Sequence, residues 1–136
     1  MKKVALLLVL MTTFISCNVG DVDSYTNHIL PIESYDMPDS FVINQTYTIG
    51  LTYQKPTVCY NFRDVYIAGS ENTRTIAIYT DTKDGQACTY VLPPVSTVSV
   101  QFTPQFTGTY TFRFYKGPDG DGNDTFEEVQ FEVTAE

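Results

Sequence analysis

In residues 46–53, TYTIGLTY, core-favouring side chains fall on every second position. Tyr47, Ile49, Leu51 and Tyr53 share one phase, and Thr46, Thr48, Gly50 and Thr52 the other. A helix puts residues three and four apart on one face, so this period of two excludes it and demands a strand with one buried side. The pattern returns in STVSVQF with Val98, Val100 and Phe102, in GTYTFRFY with Tyr110, Phe112 and Phe114, and in EVQFEV with Val129, Phe131 and Val133. RTIAIYTD turns Ile76 and Ile78 inward. Between Cys59 and Ala68 the phase moves from Tyr60 and Phe62 to Val65 and Ile67 after Arg63-Asp64, which predicts a β-bulge at that point.

A weaker strand over residues 28–35 brings the expectation to seven, separated by AGSENT, the Asp84-Gly85 turn and the Pro93-Pro94 breaker. No segment has a helical period. Strands this short and this regularly spaced point to an all-β fold, an antiparallel immunoglobulin-like β-sandwich of about seven strands. FTGTYTFRF resembles the start of the penultimate strand of such domains, where a tyrosine hydroxyl bonds back to the corner backbone. That resemblance gives Tyr110 the corner role and puts Phe112 where an inter-sheet cysteine is usual. The chain has no tryptophan to fill the core.

The first residues follow another logic. Lys2 and Lys3 precede the apolar run Val4 to Met11, which is too short for the roughly 20 residues of a membrane span and has the form of an export signal. Phe14-Ile15-Ser16-Cys17 resembles a bacterial lipobox, whose cysteine is acylated and becomes the mature N-terminus; the alternative is a plain cleavable signal. Asn18 after the cysteine fits, by the same resemblance, sorting to the outer membrane. The expected organisation is a signal over 1–16, the acylated Cys17 and a polar tether over 17–26, and the sandwich over 27–136.

Removing residues 1–16 leaves six basic against sixteen acidic residues, a formal charge of −10. Such a chain repels phosphate backbones, which argues against a nucleic-acid partner. It also lacks a Lys/Arg cluster for anionic headgroups, so membrane residence would rest on the acyl chains of Cys17. With Cys17 acylated, Cys59 and Cys88 remain. Beyond the cytoplasm a disulfide is their default state, and no accompanying CxxC or histidine partner favours a metal.

Taken whole, GLTYQKPTVCYNF, the second cysteine in GQACTY, GTYTFRFYKG and the acidic loop before the last strand resemble a family of small immunoglobulin-like bacterial lipoproteins. The resemblance implies the architecture and brings no assigned activity.

Candidate sites are sparse. KGPDGDGNDTFEE, residues 116–128, would make a weak calcium loop from Asp119, Asp121 and Asn123 with Glu127 or Glu128. An EF-hand reading meets Asp124 where glycine is required and Gln130 where a bidentate glutamate is required, so a long hairpin turn is the stronger expectation. His28 is the only histidine and has no evident partner for nucleophilic catalysis. No catalytic residue and no cofactor is therefore assigned. Tyr79 and Tyr115 fall in outward phases and Tyr90 in a loop; with Asp119, Asp121 and Asn123 they are the candidate contacts. The expected function is a non-enzymatic, lipid-anchored envelope protein binding a protein or glycan through loops 117–124 and 82–94. A carbohydrate-binding accessory subunit and a protease-inhibitor-like module are the alternatives.

Overall fold

Period-two sequence becomes strand wherever it was read. A computed structural model of the chain describes residue 20 and residues 22–136, so the leader and Cys17 lie outside the described residues. Among the described residues the strands are β1 (Tyr25–Leu30), β2 (Ser34–Asp36), β3 (Phe41–Val42), β4 (Tyr47–Tyr53), β5 (Asn61–Ala68), β6 (Thr73–Lys83), β7 (Ser96–Phe102), β8 (Gly108–Pro118) and β9 (Asp124–Thr134). They form a β-sandwich: a six-stranded sheet in the order β1-β6-β8-β9-β3, with β5 also on β6, and a three-stranded sheet in the order β2-β4-β7.

The expected strand over 28–35 is two strands in different sheets. Pro31 cannot donate to a ladder. Beyond it the Ile32 N–H donates to the Tyr115 carbonyl of one sheet, and the Glu33 N–H to the Thr52 carbonyl of the other. The crossing is pinned by Lys116, whose ammonium donates to the Ile32 and Glu33 carbonyls at 2.9 and 3.1 Å.

Most pairing is antiparallel, with two short parallel exceptions. β8 runs beside residues 73–76 of β6, and β3 beside the end of β9. On the same side of β6 as β8, β1 pairs with residues 78–83, so the two strands share one edge of β6 in succession. The bulge expected after Arg63-Asp64 is present as a register shift between Phe62 and Asp64. The turn from β5 to β6 requires glycine: Gly69 has φ 141°, and a Cβ there would lie 2.1 Å from the Thr73 carbonyl oxygen.

The core fills with the predicted inward set: Ile49, Leu51 and Tyr53 from β4, Ile76 and Ile78 from β6, Tyr110, Phe112 and Phe114 from β8, with Leu30, Ile32 and Phe41. Aromatic packing replaces the absent tryptophan. The Phe131 ring lies 4.3 Å from Phe41, 4.7 Å from Phe112 and 5.8 Å from Tyr110, centroid to centroid. Burying each such ring contributes about 1.5–3 kcal/mol.

Phe62 and Ile67 depart from expectation, staying 40% and 42% exposed. Three strands cannot cover six, and β5 lies at the uncovered margin, where only Val65 reaches the core.

Candidate functional site

The outer face of the six-stranded sheet should carry polar residues facing water, and over much of β8 and β9 it does. Thr111 sits opposite Gln130 and Arg113 opposite Glu128, the last pair joined at 2.9 Å. Around β6 the pattern changes. β6 has neighbours on both sides, so its outward residues are walled in: Ala77 and Asp81 are buried and Tyr79 half-buried. Asp81 carries its charge there because Arg63 pairs with it and the Asn61 amide donates to it at 3.2 Å.

Cross-strand register then sets apolar rings around the small side chain of Ala77. Tyr66 of β5 is directly opposite Ala77, and Ile29 of β1 opposite Tyr79. Tyr115 of β8 faces Phe126 of β9, with ring centroids 5.8 Å apart. Ile29, Tyr66, Tyr115 and Phe126 wall a groove of about 350 Å³ over Thr75 and Ala77, with Asp124 at its rim. The Tyr115 hydroxyl donates to Asp124 at 3.3 Å. Burial, then the Asp124 charge, raises the Tyr115 pKa above the ordinary tyrosine value, so it stays a neutral donor. A second depression of about 290 Å³, lined by Asp64, Tyr66 and Tyr79, adjoins it through Tyr66. The face thus offers flat rings beside two carboxylates and several hydroxyls.

Of the residues singled out in the sequence, Tyr115 walls the groove and Tyr79 lines the adjoining depression. Tyr90 does neither: it lies in the β6–β7 connection, 94% exposed. Asp119, Asp121 and Asn123 form the tip of the β8–β9 hairpin. One Asp119 carboxylate oxygen accepts the backbone N–H groups of Asp121 and Asn123, both at 2.9 Å. These bonds, that from Asn123 foremost, hold the Asp119 carboxyl below its usual range.

The calcium alternative needs Asp119, Asp121 and Asn123 to be joined by Glu127 or Glu128, and both glutamates are engaged elsewhere. Glu127 is engaged by Lys116 at 2.9 Å and by the Tyr35 hydroxyl at 2.9 Å, and Glu128 by Arg113 on the opposite face of β9. Among the described residues no group of three His, Cys, Asp or Glu is gathered as a metal site. Cys59 and Cys88 are bonded, with Cα atoms 6.0 Å apart, joining the β4–β5 and β6–β7 connections. His28 packs on Tyr60 at 4.8 Å, its Nε2 hydrogen-bonded to the Thr82 hydroxyl at 2.9 Å. Loops 117–124 and 82–94 lie at the end of the sandwich where β1 begins, since β6 and β8 both finish there.

Sequence reasoning missed Ile29, Tyr66 and Phe126. For Tyr66 and Phe126 a signal existed: each is an aromatic residue in the outward phase of its strand, as Tyr79 and Tyr115 are.

A family model described as the ORF11 beta-sandwich domain matches residues 49–133, from within β4 to within β9. Tyr66, Tyr79, Tyr115 and Phe126 fall inside the match and Ile29 outside it. No curated protein and no solved structure matches the chain.

Proposed function

Because the chain belongs to the ORF11 beta-sandwich domain family, a β-sandwich family of unknown function, we propose that it is a non-enzymatic binding module. Its immunoglobulin-like domain is held in the bacterial envelope, on the outer membrane, by acyl chains on Cys17, and takes a glycan on the outer face of its larger sheet. The reading carries forward the small-lipoprotein resemblance of the sequence and moves the contact surface from the loops to the sheet.

What supports it is the groove lined by Tyr66, Tyr115 and Phe126. A sugar ring presents C–H bonds to one side and hydroxyls around its rim. Aromatic faces match the first, and the Asp124 and Asp64 carboxylates with the Thr75 hydroxyl match the second. With acids at the rim and an acidic chain overall, neutral and amino sugars suit the site and acidic polysaccharides do not.

The test is a glycan array probed with the mature protein, followed by calorimetry. Tyr115→Ala and Tyr66→Ala should each weaken binding of a neutral glycan tenfold or more while the circular dichroism spectrum is kept. An array without neutral-glycan binding, or affinities untouched by both variants, removes the proposal.

A protein partner is the second reading, favoured by β5. Among the described residues this strand pairs with β6 alone, and it exposes Phe62 and Ile67, as an edge open to strand addition would. Binding lost on placing a proline within β5 and kept in Tyr115→Ala would select it.

A further inference from the structure

The β6–β7 connection breaks with the rest of an acidic protein. Between Asp84 and Arg113 there is no charged residue. Within that run Tyr90, Val91, Leu92 and Val95 stand 94%, 63%, 67% and 54% exposed. The disulfide from Cys88 to Cys59 sets Val58, 55% exposed, on the adjoining connection. Apolar side chains this exposed, set along one uncharged connection and its neighbour, mark a place where something else is met.

Its position says what. β1 starts at Tyr25 directly opposite Lys83, and the Asp84 N–H donates to the Ser24 carbonyl at 2.9 Å, so the N-terminal chain meets the domain beside the start of this connection. β7 leaves the connection at Ser96, opposite Tyr53, at the same end. Cys17 precedes Tyr25 by eight residues. At no more than about 3.6 Å per residue, that cysteine stays within about 30 Å of Tyr25, at the end of the domain that carries the apolar cluster.

We propose that this connection is a second membrane contact, with Tyr90, Val91, Leu92, Val95 and Val58 seated at the boundary between lipid headgroups and acyl chains. The proposal rests on the lipid-anchor reading of Cys17. Two anchoring signals hold stably where one is marginal, and an aromatic residue with an amphipathic ring suits the interface. The lipid class follows from charge. Asp23, Asp84, Asp119 and Asp121 belong to this end, against Lys55 beside Val58 and Lys83 paired to Asp23 at 2.7 Å, so acidic groups remain in excess and a zwitterionic surface is accepted while an anionic one is resisted. The groove on the sheet face would then stand to the side, clear of the lipid.

The absence of tryptophan supplies the test. In Leu92→Trp the fluorophore is unique; Phe106→Trp, in the β7–β8 turn at the opposite end, is the control. Each mature protein is held on phosphatidylcholine vesicles in two ways: by its own N-terminus, with acylation of Cys17 read by mass spectrometry, and by an N-terminal histidine tag on a nickel-chelating lipid after Cys17→Ser. The expected result is blue-shifted emission quenched severalfold by brominated acyl chains for Leu92→Trp and unchanged emission for Phe106→Trp, the quenching falling when phosphatidylglycerol is added. Unquenched emission at position 92 in the tagged form, or equal quenching at both positions, overturns the membrane contact. A mass spectrum without acyl chains, with quenching in the tagged form, overturns only the anchor.

Discussion

Replacing Tyr110 by phenylalanine deletes one oxygen from a fully buried side chain. That oxygen accepts the backbone N–H groups of Gln105 at 3.3 Å and Phe106 at 3.1 Å, closing the turn that leads from the smaller sheet to the larger. The ring remains, with Phe102 at 5.7 Å and Phe131 at 5.8 Å, so Tyr110→Phe isolates the polar contribution. An unpaired buried donor costs about 1–3 kcal/mol, and because Gln105 and Phe106 reach the surface, water recovers part of this. We expect a loss of about 1.5 kcal/mol, equivalent to a fall in Tm of roughly 4–8 °C for a domain of this size. Tyr110→Ala should cost a further 3 kcal/mol or so through the cavity it leaves. Urea unfolding read by circular dichroism, with thermal melts alongside, measures both. A Tm for Tyr110→Phe indistinguishable from wild type would show that the hydroxyl does not hold the corner. A loss as large as that of Tyr110→Ala would show that the ring had repacked, and would refute the separation argued from its contacts.

Two further outcomes follow. Replacing both Cys59 and Cys88 by serine should cost roughly 3–4 kcal/mol in urea unfolding, since the bond closes a loop with a sequence separation of 29; an unchanged midpoint would refute this. Glu127 is held below the usual carboxylate range first by Lys116 and then by Tyr35, and Asp119 by its Asn123 bonds. Both folded pKa values are depressed, so their stabilisation is complete above the ordinary value near pH 4 and disappears as pH falls through the lowered ones. Thermal melts should therefore fall below about pH 4, and fall less steeply in Glu127→Gln; identical slopes would contradict the assignment.

The sandwich was legible because burial on one side writes itself into every second residue, and Tyr110 because its motif is local: the hydroxyl and the backbone N–H groups it accepts lie within five residues. The bulge at Arg63 was legible as a slip of phase. What failed to show was non-local. β3 has two residues and pairs in parallel with the far end of the chain, and two residues carry no period. The split at Pro31 depends on which sheet each flank finds, and the exposure of Ile67 on how many strands lie opposite, neither of which is a property of the segment. The groove is of this kind: Ile29, Tyr66, Tyr115 and Phe126 are each ordinary outward residues, and only the register of β1, β5, β6, β8 and β9 gathers them.

The sharing of one β6 edge by β8 and β1 governs how the protein bears load. A tug through the N-terminus reaches the domain at Tyr25 and runs along the axis of β1, whose six residues from Tyr25 to Leu30 are each paired to β6. All six rungs are strained in shear together rather than parted one after another. Beyond them Pro31 and the backbone bonds of Ile32 and Glu33 tie the strand to both sheets. A domain wired in this way resists being peeled open from its N-terminal strand.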